Sequence, residues 1–422
     1  MESIEIEGFL TISKAHFEIK KINILIGTQA SGKSIVAKLV YFFKKFFSDI
    51  FIKSIENNQN KTNINKHVLE KFEQLFPKYT WDHQEFIITY KYNNYQVSIS
   101  RKKTGSHYSL KFDYCAELKV LHKSLKTLYK KNLDEYETSK RNNRDRKLQL
   151  HHKNFLYHKI LENNFGVGFQ SNIFIPASRS FFANLQKNVF SFLANNIDLD
   201  PLIKEFGSKY ERAKRYYFSS LLNDSKKNTI LRKKFKNLIT SIISGEYVVL
   251  EEKDWIAKNG KKTNLANASS GQQESLPMLI ILSIWPFVNE YGMCFIEEPE
   301  AHLFPTSQKQ VISILATIYK ECDHSFFITT HSPYILTAIN NLVIGSDAYD
   351  NCHNDKDRLQ LSKLIPQDEI IKFEDVSAYT FNQGKLESIM DEETRLIGSS
   401  IIDAVSENFA EAFDLANDIA NR

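Results

Sequence analysis

Hydrophobic residues near the start of the chain first alternate with polar ones and then recur every three or four positions. This change in spacing predicts strands, then a loop, then a helix. Alternation over Ile4–Phe9 and again over Phe17–Ile26 predicts two strands. The second strand ends in the isoleucine-rich run Ile22–Ile26, which is typical of a strand buried on both faces. After Gly32, apolar residues recur every three or four positions as far as Phe47, which predicts a helix.

The next hydrophobic segments predict a strand hairpin and then a long helical arm. Phe86–Tyr92 and Gln96–Ser100 alternate around a short turn, and a third strand is expected near Tyr108–Phe112. Residues 115–165 contain neither proline nor glycine, and their first leucines are spaced as in a coiled coil. Two antiparallel helices of roughly 20 residues and one long helix both fit this pattern.

The second half of the chain alternates between strand-like and helix-like segments. Such alternation predicts a mostly parallel sheet covered by helices on both faces. The predicted strands are Asn172–Pro176, Glu246–Glu252, 292–296, 325–329 and Ala378–Phe381. The predicted helices cover most of 181–245, then 275–288, 306–320, 333–340 and the segment beyond Glu393.

Composition narrows the class of protein only slightly. With 42% hydrophobic and 25% charged residues, the chain is expected to fold as an ordinary globular protein. The first 20 residues lack the basic and apolar segments of a secretory signal, and the apolar run Pro277–Val288 is too short for a bilayer. The four cysteines form no CxxC pair, so we expect no disulfide framework, a cytoplasmic location and no membrane partner.

Positive charge is concentrated in the predicted arm. Lys119–Lys159 holds 12 Lys or Arg against 4 Asp or Glu, whereas the whole chain has a net charge of +5. The centre of this segment, Lys140–Lys147, lacks apolar residues and is expected to form a basic tip. Such a tip fits sequence-neutral contact with a nucleic-acid backbone, and it equally fits a solvated lysine face on a hairpin that packs against a neighbour.

A phosphate-binding pattern, G-x-x-x-x-G-K-[ST], lies between the first buried strand and the first long helix. Glycines at these positions let backbone N–H groups surround phosphates, the lysine reaches the β- and γ-phosphates, and the serine hydroxyl is a ligand for Mg²⁺. The helix N-terminus adds partial positive charge. We therefore expect ATP to contact Gly27, Thr28, Gln29, Ala30, Ser31, Gly32, Lys33, Ser34 and Ile35.

Two acidic residues follow a second buried strand, Met293–Ile296. A parallel strand ends at the ligand-binding edge of its sheet, so Glu297 and Glu298 are expected beside the phosphates. Glu297 is predicted to hold Mg²⁺ directly or through water. Glu298 is predicted to polarise the attacking water.

A third motif, Asn267–Glu274, precedes a helix, and on its own it is also explained as a helix N-cap. Its Ser-Ser-Gly-Gln-Gln sequence resembles the signature motif of ABC-type ATPases, where the signature of one subunit closes on the nucleotide of another. The resemblance implies ATP contacts from Ser269, Ser270, Gly271 and Gln272 and a homo-oligomer of at least two protomers. His331, in Ile-Thr-Thr-His-Ser-Pro, resembles the switch histidine that contacts the γ-phosphate in this family.

Longer stretches narrow the resemblance to the OLD, RecF and SMC-like branch of these ATPases. Ile296–Pro305 and Thr329–Tyr334 resemble segments of that branch, and Phe174–Arg179 resembles its Pro-Ala-x-Arg segment. The last likeness implies that Arg179 binds nucleotide or faces the partner subunit, although a surface salt bridge is an equally good explanation.

Motifs of known nucleases are missing from the chain. The residues after His331 have no Glu-Gly…Asp-x-Asp arrangement like that of the TOPRIM domain, and no HNH-type cluster is present. The chain therefore resembles the stand-alone ATPase subunits of PARIS-type, Septu-type and retron-associated anti-phage systems. That resemblance implies a Mg²⁺-dependent ATPase that holds and controls a separately encoded nuclease or toxin. The alternative is a RecF- or SMC-like ATPase that clamps DNA in repair or maintenance.

These predictions combine into an α/β fold resembling an ABC-type ATPase head. We expect a mixed, mostly parallel core sheet with antiparallel accessory strands, a helical lobe and an inserted helical hairpin. The expected divisions are 1–114 with the P-loop, 115–167 as the hairpin, 168–180 as a core strand with the Pro-Ala-x-Arg segment, 181–267 as the helical lobe, 268–345 with the signature, acidic pair and histidine, and 346–422 as a C-terminal strand and helices.

Overall fold

The computed structural model describes residues 2–105, 107–139, 171–183, 199–222, 225–288 and 291–398. The basic tip, the returning half of the arm and residues 399–422 lie outside the described residues. The helices expected beyond Glu393 therefore fall mostly outside them, and Leu396–Ile397 is a short strand instead. In the described part of the chain, every helix is too short or too polar to cross a membrane.

Three strands open the chain where two were predicted. Strands β1 (Glu2–Phe9) and β2 (Ile12–Ile19) form an antiparallel hairpin, and β3 (Ile22–Ile26) is separate from β2. The prediction of one strand from Phe17 to Ile26 is therefore wrong. The side chain of Asn23 closes a turn, since its Oδ1 accepts from the backbone N of Lys20 at 2.8 Å and its Nδ2 donates to the Lys20 carbonyl at 2.7 Å.

Residues 50–80, between the P-loop helix and the predicted strand hairpin, are rich in Asn and Lys, yet most of them are helical. An unanticipated helix there buries Ile64, Val68 and Phe72, which are spaced four residues apart on one face. The hairpin and the third strand after it are confirmed. The elements are α1 (Lys33–Lys45), a π-helical segment (Phe46–Phe51), α2 (Ile52–Glu56), α3 (Lys61–Leu75), β4 (Phe86–Tyr92), β5 (Tyr95–Thr104), β6 (His107–Tyr114) and α4 (Ala116–Ser139), which is the described part of the arm.

The second half has the predicted alternation of helices and strands, with two strands added after the predicted strand at Glu246. It comprises β7 (Ile173–Ile175), α5 (Pro201–Tyr217), α6 (Lys226–Ile242), β8 (Glu246–Leu250), β9 (Lys253–Lys258), β10 (Lys261–Asn264), α7 (Ser270–Val288) and β11 (Met293–Glu297). It continues with α8 (Pro305–Cys322), β12 (Ser325–Thr330), α9 (Pro333–Asp350), α10 (Asp355–Leu364), β13 (Val376–Asn382), β14 (Lys385–Ser388), β15 (Met390–Asp391) and β16 (Leu396–Ile397).

One eleven-stranded sheet organises the molecule, in the order β6-β5-β4-β1-β2-β14-β13-β3-β12-β11-β7. Strands β13, β3, β12, β11 and β7 are parallel to one another, whereas β6, β5, β4, β1 and β2 are antiparallel. The predicted fold class is confirmed: a mixed α/β sheet with a parallel core and antiparallel accessory strands. The accessory strands extend the core sheet, while β8, β9 and β10 form a separate sheet.

The parallel strands are buried on both faces. On β3, Ile24 packs into the cluster formed with α5 to α9, whereas its neighbour Leu25 packs into the cluster formed with α1 to α3. Phe295 and Phe327 of β11 and β12 stack at 5.4 Å between ring centroids on the Leu25 side. Burying each such ring contributes roughly 1.5–3 kcal/mol. This double burial fixes the positions of the strand ends that carry the site.

Candidate functional site

The carboxyl ends of three adjacent parallel strands bring the predicted site together. In the sheet register, Ile26 of β3 lies opposite Thr330 of β12, and Thr329 lies opposite Glu297 of β11. The P-loop follows β3, the acidic pair follows Ile296, and His331 follows β12. The sheet order thus unites segments that are about 300 residues apart in sequence.

The P-loop backbone has positive φ angles at three of its eight residues. Gly27, Ala30 and Gly32 have φ values of 151°, 59° and 111°. A Cβ atom on Gly32 would lie 3.0 Å from the side chain of Ile12 and 3.3 Å from the ring of Phe381, so no larger residue fits without displacing a neighbour. Backbone turns of this type form concave anion sites at helix N-termini, and α1 begins at the next residue.

Lys33 lies across the P-loop. Its ammonium donates to the carbonyl oxygens of Gly27 at 2.8 Å and Thr28 at 2.6 Å, and its side chain is buried. Burial lowers the pKa of this ammonium, while the charges of Glu298 and Glu300 act in the opposite direction. A phosphate bound in the loop would add more negative charge and favour the protonated form.

Glu297 is a buried carboxylate whose surroundings fit a divalent cation. Burial raises its pKa, whereas Lys38, the hydroxyl of Ser34, the backbone N of Ala177 and Arg179 lower it. Its Oε1 is buried and accepts no hydrogen bond from the part of the chain that the structure describes. A buried oxygen without a donor is costly, and together with a nearby hydroxyl it forms the hard-oxygen set that Mg²⁺ prefers.

The carboxylates of Glu298 and Glu300 both contact His331, and the three residues form one cluster beside the P-loop. Nε2 of His331 lies 3.3 Å from Oε1 of Glu298, and both side chains are partly exposed. Oε1 of Glu300 accepts from the backbone N of His331 at 2.7 Å and from Oγ1 of Thr330 at 2.8 Å. Glu300 therefore joins the loop after β11, which carries Glu298, to the loop after β12, which carries His331. We did not predict this role from the sequence, although Glu300 stands only two residues after Glu298.

The signature motif begins α7 and leaves its serines at the surface. Ser269 and Ser270 are exposed, and Gln272 is held locally because its Oε1 accepts from the backbone N of Ser269 at 3.1 Å. Gly271 packs on the acidic loop, where an added Cβ would lie 2.6 Å from the carbonyl oxygen of His302. The hydroxyl of Ser269 also donates to Oε1 of Gln272 at 3.1 Å, whereas Ser270 is exposed at the first residue of α7.

Arg179 corrects one interpretation made from the sequence. Its side chain is fully buried, so the expected surface salt bridge is wrong. Its guanidinium donates to the carbonyl oxygens of Pro176, Glu274, Glu297 and Glu298 at 2.6–3.0 Å. Because these acceptors belong to different segments, Arg179 binds the carboxyl end of β11 to the first turn of α7.

Arg179 thereby connects the signature helix with the acidic pair. The carboxylate of Glu274 accepts from the backbone N of Arg179 at 3.0 Å, which adds a second bond between α7 and this segment. A planar guanidinium with fixed donors holds such carbonyl groups in one geometry, and a lysine ammonium does not reproduce the fork. Burial lowers the pKa of the Arg179 guanidinium, while the charges of the neighbouring glutamates act in the opposite direction.

We expect Arg179→Lys to lower ATP turnover more than it weakens nucleotide binding. Lysine keeps the charge but loses most of the four carbonyl bonds, so Glu298 and α7 shift relative to the P-loop. A displacement of about 1 Å at a catalytic group lowers the rate on the order of 100-fold. Steady-state kinetics and equilibrium binding of a fluorescent ATP analogue would measure the two effects. Equal losses of binding and turnover, or a loss of the folded state by circular dichroism, would contradict the positioning role.

Comparison with known proteins supports a nucleotide-handling function for this site. Residues 168–336 match the family described as AAA ATPase domain, a range that contains the signature, the acidic pair and His331 but not the P-loop. A segment of 95 residues is 28% identical to the "Retron Vc95 probable ATPase" of Vibrio cholerae serotype O1 biovar El Tor. That alignment covers 20% of this chain and 18% of the relative, so the chain spans less than a fifth of that protein.

Solved structures with overlapping folds include the SMC head domain from Thermotoga maritima and an SMC head bound to the C-terminal winged-helix domain of ScpA. The first shares 12% identity over 92% of this chain and 97% of that chain, with a TM-score of 0.35. The second shares 13% identity over 93% and 98%, with a TM-score of 0.38.

Residues 168–336 are therefore similar to an AAA ATPase domain, and they lie within the confirmed mixed α/β fold.

Proposed function

We propose that the chain is a Mg²⁺-dependent ATPase that acts as a switch, closing with a second protomer on ATP and reopening after hydrolysis. The observation that carries this proposal is the convergence of Lys33, the acidic pair and His331 at three adjacent strand ends. A buried cation, a buried carboxylate with one oxygen that accepts no hydrogen bond in the described part of the chain, and a partly exposed carboxylate–histidine pair are the groups that phosphoryl transfer to water requires.

Each group has a distinct role in this mechanism. Lys33 leaves its carbonyl partners to bind the β- and γ-phosphates, and the P-loop backbone surrounds them. Ser34 and Glu297 would hold Mg²⁺, which would neutralise charge on the phosphate oxygens. Glu298 accepts a hydrogen bond from the attacking water and orients it. His331, whose Nε2 lies 3.3 Å from the same carboxylate, would contact the γ-phosphate.

A second protomer completes the site in this proposal. The serines at the start of α7 are exposed on their own protomer, so they are accessible to a phosphate bound by another copy. The N-terminus of a 19-residue helix adds partial positive charge beside these hydroxyls. ATP would then be the ligand that joins two protomers, because neither copy alone would surround the γ-phosphate.

We further propose that this switch controls a separately encoded nuclease or toxin in an anti-phage system. The partial likeness to a retron-associated ATPase supports that context. A switch that closes on ATP and reopens on hydrolysis has two arrangements of its protomers. An effector that binds one arrangement better is retained in that arrangement and released in the other.

Affinity purification from the native operon tests the proposed control of an effector. The Glu298→Gln variant in the presence of ATP is expected to retain a stoichiometric nuclease or toxin encoded beside it, and Lys33→Ala is the control that lacks a closed state. Recovery of nucleic acid with no stoichiometric protein would instead favour a DNA-clamping ATPase. Equal recovery of the effector with both variants would contradict control by nucleotide.

A further inference from the structure

A basic groove lies where the helical arm leaves the sheet, well separated in sequence from the ATP-site motifs. One wall is the first half of α4, and the other is the loop 58–61 that joins α2 to α3. We call it the arm-base groove. Its volume is about 430 Å³, within the range of ligand-binding clefts.

Four lysines of α4 line this groove: Lys119, Lys123, Lys126 and Lys130. Their spacing of four, three and four residues places them within about 60° of one another around the helix. From the first to the last they extend about 16 Å along the axis. The α4 wall of the groove is therefore a straight row of ammonium groups, of which all but Lys126 are exposed.

The opposite wall adds one more cation and several amide groups. Lys61 lies in the groove and shares the carboxylate of Asp113 with Lys119, at 3.0 and 3.7 Å. Lys126 donates to the carbonyl oxygen of Gln59 at 2.9 Å. This hydrogen bond joins the two walls of the groove, and a carbonyl acceptor leaves the charge of Lys126 unneutralised. Counting Asp113, the five lysines leave a net charge of +4 on this surface.

The histidine at the floor of the groove contributes no charge near neutral pH. His122 is buried, with its Nε2 2.8 Å from the hydroxyl of Ser54. Burial and the nearby Lys126 lower the pKa of His122 to about 4. The groove therefore attracts anions through its lysines alone, and its charge is constant across the physiological pH range.

A regular row of cations with amides beside it matches the backbone of a nucleic acid better than an isolated anion. One strand of a duplex carries one phosphate per 3.4 Å, so the row of lysines matches about five phosphates. The side chains of Asn58, Gln59 and Asn60 line the same groove and suit sugar or phosphate contacts that carry no sequence information. A compact ligand such as free phosphate would use only a fraction of this length.

We propose that the arm-base groove binds the phosphate backbone of a nucleic acid strand without reading its sequence. The proposed contact lies at the base of the arm, and it depends neither on ATP hydrolysis nor on an effector. DNA and RNA both present a row of phosphates, so the experiment compares DNA with RNA.

Fluorescence anisotropy with labelled oligonucleotides tests the proposal on the full chain. We expect binding of single-stranded DNA, RNA of equal length or duplex DNA to weaken steeply from 50 to 200 mM salt, with a log–log slope of about −3 to −4 for four neutralised phosphates. The double substitution Lys123→Glu and Lys130→Glu is expected to lower affinity at least tenfold and to reduce the slope by about two. The preferred probe identifies the natural strand type.

A matched control is available on another helix. Lys356 and Lys363 of α10 are also exposed and seven residues apart, so Lys356→Glu with Lys363→Glu changes the net charge equally. This control should bind like the wild type, and circular dichroism should show both variants folded. Equal weakening by the two double variants, or no binding by the wild type at 50 mM salt, would overturn the proposal. Tighter binding of polyglutamate than of any oligonucleotide would identify an acidic protein as the partner instead.

Discussion

The Glu298→Gln variant should bind ATP normally and hydrolyse it at least 100-fold more slowly than the wild type. Glutamine has the shape of glutamate but cannot accept a proton from water, and general-base catalysis typically contributes 10²–10⁴-fold. Binding should persist because Lys33 and the P-loop, rather than Glu298, surround the phosphates. Hydrolysis is measured by phosphate release, binding by a fluorescent ATP analogue, and the closed oligomer by size-exclusion chromatography with ATP.

The oligomer should accumulate in this variant, since reopening requires hydrolysis. Glu73→Gln is the matched control, because Glu73 lies on the exposed face of α3, away from the strand ends. It should turn over ATP like the wild type. Normal turnover in Glu298→Gln would remove Glu298 from the mechanism, and loss of ATP binding would show that the carboxylate supports the site instead of activating water.

Ser270→Arg should abolish hydrolysis without preventing a single protomer from binding ATP. The arginine replaces the exposed hydroxyl at the start of α7, so α7 no longer offers that hydroxyl to a γ-phosphate bound by another protomer. Since the γ-phosphate then lacks half of its surroundings, turnover should fall on the order of 100-fold or more. Lys33→Ala should also be inactive, for the different reason that it removes the cation of the P-loop.

Mixing these two inactive variants distinguishes a shared site from a site within one chain. In a mixed dimer, the Ser270→Arg protomer supplies an intact P-loop and the Lys33→Ala protomer supplies an intact signature. Random assembly of equal amounts should therefore restore about a quarter of wild-type turnover, because one site in four is complete. Two copies of the same variant cannot recover. Absence of any recovery, with exchange of protomers verified by differently sized tags, would contradict the shared site.

Much of the candidate site could be predicted from local sequence because each motif is contiguous. The P-loop pattern requires only eight successive residues between a strand and a helix, and the structure has β3 before it and α1 after it. The acidic pair and His331 each lie at the end of a strand with a run of at least three apolar residues, Cys294–Ile296 and Phe326–Ile328. Apolar strands with polar ends are sufficient to place polar groups at one edge of a parallel sheet.

The role of Arg179 could not be predicted in this way. Its four carbonyl acceptors come from segments about 95 to 120 residues away or from its own loop, and backbone carbonyls leave no mark on sequence. A charged residue is exposed in most proteins, so sequence alone favoured the surface. Glu300 was missed for a related reason, since its main partner is the backbone N–H of His331.

By itself, the sequence determined the local units: which segments alternate as strands, where helices begin, and which residue types have the chemistry to handle phosphates. These properties depend on neighbours within a few residues. Only the tertiary structure decided the order of strands, which places β13 beside β3 although more than 300 residues separate them. It also decided that Arg179 is buried and that the lysines of α4 face the loop 58–61. Strand order and burial depend on how distant apolar faces cover one another, and no local pattern encodes that.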